Sequence, residues 1–215
     1  MAILLRPFSI LTSQAISLFT LIRHPYLCRW RLYALISKLR HHNPFIEHHE
    51  RHTHTIPASE LIYSDSPVSM AVGIAKRLPL RPSDLIVDCG SGFGGVCFDL
   101  HLLTGAKTLG IDCMPSLINF SSRLSVQLGL NNSCRFVLGN FLDQDLSNAR
   151  VVLVTATCLS DRTTQALWRK CEDLRVGSYL IIITQEIESE HFELCESFNT
   201  TFEWGHDMIR IYRKS

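Results

Sequence analysis

The chain has 215 residues with a formal net charge of +1, which is enough for one α/β domain with an added segment and too little for two substantial domains. The even balance of Lys and Arg (21) against Asp and Glu (20) argues against a nucleic-acid surface, so no nucleic-acid partner is expected. The charge is unevenly spread: residues 1–46 hold six basic residues (Arg6, Arg23, Arg29, Arg31, Lys38, Arg40) and no acid, while the remainder holds fifteen basic against twenty acidic.

From Pro7 to Ile22 the sequence is apolar, uncharged and interspersed with hydroxyl residues. It is shorter than the ~20 strongly apolar residues of a spanning helix, and an amphipathic helix fits better. Three readings stay open for residues 1–46: a helical cap on the domain, a membrane-surface or partner-binding helix, and an Arg-rich organelle presequence. The localisation expected is cytoplasmic, with an organellar or membrane-associated location as the alternative. Residues 41–54 contain six histidines (His41, His42, His48, His49, His52, His54). His48 and His52 have the i, i+4 spacing of helical metal ligands, yet no cysteine and only Glu47 and Glu50 lie nearby, so a solvated linker is expected and no metal site. The division is thus a basic helical extension and linker over 1–55 and the main α/β domain over 56–215.

Beyond the linker the pattern alternates between helix and strand. Ser66 and Pro67 read as the cap and first-turn proline of a helix carrying Met70, Ile74 and Leu78. Strand one runs from Leu85 to Asp88, with a helix from about Phe93 to Leu103. Strand two spans Thr108 to Ile111 and ends at Asp112, and Pro115 opens a helix with Leu117, Phe120, Leu124 and Leu128. Strand three covers Arg135 to Leu138, and strand four, Val151 to Val154, is a continuous apolar run suited to a parallel strand covered on both faces. Asp161 reads as the N-cap of a helix bearing Leu167, Cys171 and Leu174. Strand five is Tyr179 to Thr184, and two last strands near Thr200–Glu203 and Met208–Tyr212 form a hairpin around Gly205. The expected fold is α/β, a Rossmann-like, doubly wound, mostly parallel sheet with a C-terminal antiparallel hairpin and an N-terminal helical extension.

The eight cysteines are scattered singly without framework spacing and read as free thiols in a reducing compartment. Cys158 follows strand four, where packing is its expected role.

Strand one turns into Asp88-Cys-Gly90-Ser91-Gly92-Phe-Gly94-Gly95, a loop whose glycines permit a sharp turn and close approach to a ligand at a helix N-terminus. Gly90, Gly92 and Gly95 satisfy G-x-G-x-x-G, and Asp112 stands near the ribose-binding offset, so a dinucleotide is allowed. Asp88 discriminates. A carboxylate at the strand tip repels a pyrophosphate and attracts the ammonium and sulfonium of S-adenosylmethionine.

These residues resemble the class I S-adenosylmethionine-dependent methyltransferases. Asp88 to Gly94 is similar to their first motif, Leu109-Gly-Ile-Asp112 to the second, Gly139-Asn140-Phe141-Leu-Asp143 to the third, and Arg150 to Thr155 falls at the fourth strand. Tyr63-Ser-Asp-Ser-Pro67 and Trp204-Gly205 resemble segments of the non-SET histone-lysine methyltransferases and related small bacterial proteins. The resemblance implies S-adenosylmethionine as cofactor, with Asp88, Gly90, Ser91, Gly92 and Gly94 around its methionine half and Asp112 on the ribose. It also implies Asn140 and Phe141 beside the adenine, with Asp143 as an alternative polar contact, and Tyr63 at the methionine or acceptor channel. No catalytic residue is assigned. Thr155-Ala-Thr157-Cys158 lacks the prolines of amino-methylating nucleic-acid enzymes. The acceptor implied is a protein side chain, lysine first. The alternatives are a small-molecule acceptor and a domain that binds the donor without transferring its methyl group, and a nicotinamide-dependent oxidoreductase is weakest because no residues remain for a substrate domain.

Overall fold

The computed structural model describes residues 15, 17–28, 30–32 and 65–215. Tyr63, the histidine-rich stretch and the boundary at 55/56 lie outside the described residues. Within residues 65–215, seven strands and four α-helices follow one another as α1 (Val68–Arg77), β1 (Leu85–Cys89), α2 (Gly95–Thr104), β2 (Lys107–Asp112), α3 (Pro115–Gln127), β3 (Cys134–Leu138), β4 (Val151–Thr155), α4 (Asp161–Cys171), β5 (Tyr179–Ile183), β6 (Phe192–Phe202) and β7 (Gly205–Lys214). They form a single sheet in the order β3-β2-β1-β4-β5-β7-β6. The pairings from β3 through β5 are parallel, and β7 runs antiparallel to both β5 and β6.

Side chains alternate across each strand, and the sequence uses both sides. Val87, Val152, Val154, Leu180 and Ile182 pack with Leu167, Cys171 and Leu174 of the α4 region. Ile86, Val151, Leu153, Ile181 and Ile183 pack with Met70, Ala71 and Ile74 of α1 and Val96 and Leu100 of α2. Leu124 of α3 joins Phe98 of α2 over Cys134. The continuous apolar runs of β4 and β5 follow from this double coverage. Strand order reverses between β1 and β4, so the carboxyl end of β1 opens onto the crevice where α/β sheets bind ligands.

Three local expectations need correction. Pro67 is the N-cap residue of α1, not its first turn, with extended backbone (φ −69°, ψ 146°) and no side-chain cap. Ser160, not Asp161, caps α4: its hydroxyl accepts from the Thr163 N–H, and Asp161 becomes the first-turn acid that favours the helix dipole. The terminal hairpin is much longer than expected because β6 is an edge strand whose Glu193–Ser197 stretch is exposed. Phe192 and Phe202 at its ends are buried, and along the exposed stretch a bulge at Leu194/Glu196 together with its acids guards the open edge.

Part of the basic N-terminal segment is docked on α2. Leu27 and Trp30 are buried, the Trp30 ring lies 5.3 Å from that of Phe98, and its Nε1 donates to Asp99 Oδ1 at 2.8 Å. Arg31 pairs with the other oxygen of Asp99. Burial pushes the Asp99 carboxyl up and the Arg31 charge pulls it back, so the cation is what makes a carboxylate tolerable here.

Candidate active site

The glycine loop is built by backbone geometry. After Cys89 the chain bends over the end of β2, where Gly90 N and Ser91 N both donate to Ile111 O at 2.8 and 3.0 Å. Gly90, Gly92 and Gly94 all have positive φ (88°, 54° and 79°), which L side chains rarely adopt. A side chain at Gly94 would also strike the Phe136 ring, its Cβ falling 2.5 Å from that ring. At Gly90 an added Cβ meets nothing within 4 Å, so this face of the loop is open to the crevice.

Asp88 and Asp112 flank the loop. Asp88 is in register with Gly110 of β2 and Leu153 of β4, and it is almost fully buried. Burial first and the charge of Asp112 second raise its carboxyl to about 7, offset in part by a 3.8 Å contact from the Cys97 thiol. Asp112, at the tip of β2, accepts from Gly92 N through Oδ2 at 2.8 Å and from Met114 N through Oδ1 at 2.9 Å. It therefore latches the glycine loop to the start of α3. A carboxylate oxygen offers two acceptor positions, so one backbone bond does not by itself exhaust it.

The other expected contacts are placed as follows. Ser91 uses its N–H on Ile111, and its hydroxyl is buried beneath the loop against Gly110 without a protein partner. Asn140 caps a short 3-10 turn (Phe141–Asp143), its Oδ1 accepting from Leu142 N at 2.9 Å. Phe141 is half-buried against the core layer that holds Ile111 and Leu146. Asp143 is exposed on the same turn. Cys158 is partly buried, and burial raises its thiol above the ordinary value, the reverse of what a nucleophile needs.

Two features lie outside the sequence expectations. Gly110, inside β2, leaves the space that Ser91 and Phe136 fill: a Cβ there would lie 2.6 Å from Ser91 Oγ and 2.6 Å from the Phe136 ring. Glycine within a strand is the available clue, since it marks close approach. Gly110→Ala is therefore expected to weaken ligand binding at the loop about tenfold or more and lower stability by ~1–3 kcal/mol, checked by calorimetry and thermal melting.

The second feature spans three elements at the carboxyl edge of β4 and β5. Thr157 Oγ1 lies 2.8 Å from Thr184 Oγ1, and Thr184 donates to Asp207 Oδ2 at 2.7 Å. Thr184 spends its one proton on Asp207, so Thr157 is the donor to Thr184. Trp204 Nε1 adds a bond to the same Asp207 oxygen at 3.1 Å. Thr184 has φ 78°, the one positive value outside glycine among the described residues, and strain in a β-branched residue is costly enough to need such support. Because β5 is two strands from β1, this cluster lies across the carboxyl edge from Asp88, on the far side of β4.

The seven-stranded sheet with its strand-order reversal and antiparallel last strands matches the architecture of many solved methyltransferases. The fold is that of the class I S-adenosylmethionine-dependent methyltransferases. Geranyl diphosphate C-methyltransferase from Streptomyces coelicolor, solved with S-adenosyl-L-homocysteine, superposes with a TM-score of 0.59 at 15% identity over 74% of this chain and 85% of that one. An RNA methyltransferase from Salinibacter ruber, also with S-adenosyl-L-homocysteine, gives 0.56 at 19% identity over 70% and 94%. In sequence, sterol 24-C-methyltransferase of Eremothecium gossypii is 30% identical over 88 residues, 40% of this chain and 24% of that protein. Phosphoethanolamine N-methyltransferase of Plasmodium falciparum is 22% identical over 166 residues, 73% and 61% respectively. The chain thus spans between about a quarter and three-fifths of the length of these curated relatives. No family model matches the chain.

Proposed function

We propose that the chain is an S-adenosylmethionine-dependent methyltransferase acting on a small, lipid-like molecule. The observation that carries the cofactor assignment is the buried pair Asp88 and Asp112, with Asp88 raised to about 7. Two acids beside an open glycine turn are relieved by a cationic ligand and aggravated by a diphosphate, so the residues present fit the methyl donor and disfavour a nicotinamide dinucleotide. Asp88 would face the donor's positive charge, the Gly90–Gly94 loop would pass beneath its methionine half, Asp112 would accept the ribose hydroxyls, and Asn140 and Phe141 would border the adenine. Bound there, the donor supplies a methyl group already activated by its sulfonium. The protein's share is to align the acceptor and exclude water.

An acceptor placed at Thr157 would have a route for the proton it must lose, Thr157 taking that proton while passing its own to Thr184, and Thr184 passing its own to Asp207. Asp207→Asn is expected to lower methyl transfer at least tenfold while leaving donor affinity unchanged, as compared by single-turnover labelling and calorimetry.

For the acceptor, the relatives' names supply the support: a sterol, phosphoethanolamine and geranyl diphosphate are all small and mostly lipid-like. A protein lysine remains the second reading, resting on the resemblance of Tyr63–Pro67 and Trp204-Gly205. The second of these has a structural explanation, since Trp204 stacks on Phe202 at 4.3 Å and Gly205, at φ 132°, closes the hairpin turn. The test incubates the full chain and a donor tritiated on its methyl group with cell lysate, then separates organic-soluble, small aqueous, protein and nucleic-acid fractions. Label in the first two supports the proposal, label in protein favours lysine, and label in nucleic acid overturns both. Donor binding with no label anywhere leaves a non-catalytic binding module.

A further inference from the structure

We infer that the N-terminal helical segment is a docking face for an anionic membrane surface. Residues 17–23 form a helix whose apolar residues are Leu18, Phe19, Leu21 and Ile22. Leu21 is partly covered, as is Ser17 one turn before it, whereas Leu18, Phe19 and Ile22, spaced i, i+1, i+4, are 63%, 57% and 68% exposed. Tyr26 and Leu32, farther along the segment, are 48% and 59% exposed. An apolar face left uncovered on a short helix needs a partner, because single exposed residues are ordinary but a contiguous set is not.

Charge decides what the partner is. Arg23 borders the patch with its guanidinium 4.4 Å over the Phe19 ring, and the whole stretch 1–46 carries six Lys or Arg and no acid, against an acidic remainder. Arg23 beside exposed Leu, Phe and Ile, in a segment of basic sequence with a tyrosine nearby, matches the acyl–headgroup boundary of a bilayer bearing anionic lipid. An acidic protein groove would match the charge but places no demand on a tyrosine at the polar boundary. No helix among the described residues is long and apolar enough to cross a membrane, so the contact is interfacial.

The segment is also fixed to the catalytic domain. The clamp of Trp30 and Arg31 on Asp99 holds it to α2, and Trp30 lies against Gly95, where α2 leaves the glycine loop: a Cβ at Gly95 would sit 3.7 Å from the indole. Docking would therefore bring a bilayer surface to the side of the molecule that carries the first turn of the helix after the glycine loop.

The experiment is sedimentation of the full chain with vesicles of phosphatidylcholine alone or with about 30% phosphatidylserine. Binding to the anionic vesicles is expected to exceed binding to the neutral ones by at least about tenfold and to fall as salt rises. The double change Leu18→Glu and Ile22→Glu is expected to remove binding to both by about tenfold or more, with the melting temperature unchanged because both side chains are exposed. Arg23→Glu is expected to reduce binding to the anionic vesicles only. Absence of binding to either vesicle would overturn the inference, as would a dimer in light scattering that the double variant abolishes, since a second copy would then be the occupant. No methyl acceptor enters the measurement, so its failure leaves the proposed activity untouched.

Discussion

Asp88→Asn is expected to make the ligand-free protein more stable and unable to bind the methyl donor. The carboxyl of Asp88 is raised from 3.8 to about 7, chiefly by burial and then by Asp112. Between those pH values the native state holds a proton that the unfolded chain has released. Stability from this group is therefore fully present below about 4 and lost as pH rises through about 7. Above that the ionised form costs on the order of 4 kcal/mol, since each pH step of one between the two values is worth about 1.36 kcal/mol. Asparagine removes the charge and keeps the shape. Melting curves of the variant are expected to match the native protein at pH 4 and to exceed it by several degrees at pH 8. Donor affinity, measured by calorimetry at pH 8, is expected to fall by about 100-fold or more, the scale for losing a buried charge partner. In the native protein, binding is expected to strengthen as pH rises through about 7 and to release protons near neutrality, visible as a dependence of the heat on buffer. A variant that is no more stable than the native protein at pH 8 would contradict the buried-charge account. A variant that binds the donor with native affinity would contradict the cofactor reading.

The glycine loop and Asp88 are conspicuous in the sequence because an acid closing an apolar strand contradicts its surroundings, and such a local contradiction marks a candidate site. The doubly covered strands β4 and β5 were legible for the opposite reason, because continuous Val, Leu and Ile runs have few other solutions. What stayed hidden depends on distant parts of the chain. The exposed half of β6 has no pattern of its own, since β7 alone dictates its pairing. Asp99, an acid inside a helix, gives no hint that Trp30 and Arg31, nearly 70 residues earlier, will satisfy it. Thr157, Thr184 and Asp207 come from three separate elements and meet only because β4, β5 and β7 are neighbours. From the sequence Asp112 is expected only as a ligand contact. Its bonds to Gly92 and Met114 show that it also assembles the loop.

This double use of Asp112 yields the other large effect. If the side chain served the ribose alone, asparagine would retain an acceptor oxygen and part of the affinity. In the structure both carboxylate oxygens are held by backbone N–H groups, at 2.8 Å from Gly92 and 2.9 Å from Met114. An asparagine amide offers one acceptor and one donor, so whichever way it turns, an NH2 faces a backbone N–H. Asp112→Asn is therefore expected to be nearly as damaging as Asp112→Ala. Each change would cost ~1–3 kcal/mol of stability for a buried donor left unpaired and weaken donor binding by ~3 kcal/mol, since the ligand contact and the loop latch fail together. Asp112→Asn also removes the charge that helps raise Asp88, so the residual binding should retain its rise with pH but shift to lower pH. Calorimetry across pH, paired with amide exchange at Gly92 and Met114, separates the two contributions. Full protection of those amides in Asp112→Asn would show that the latch does not depend on the carboxylate, and the loss of affinity would then belong to the ribose contact alone.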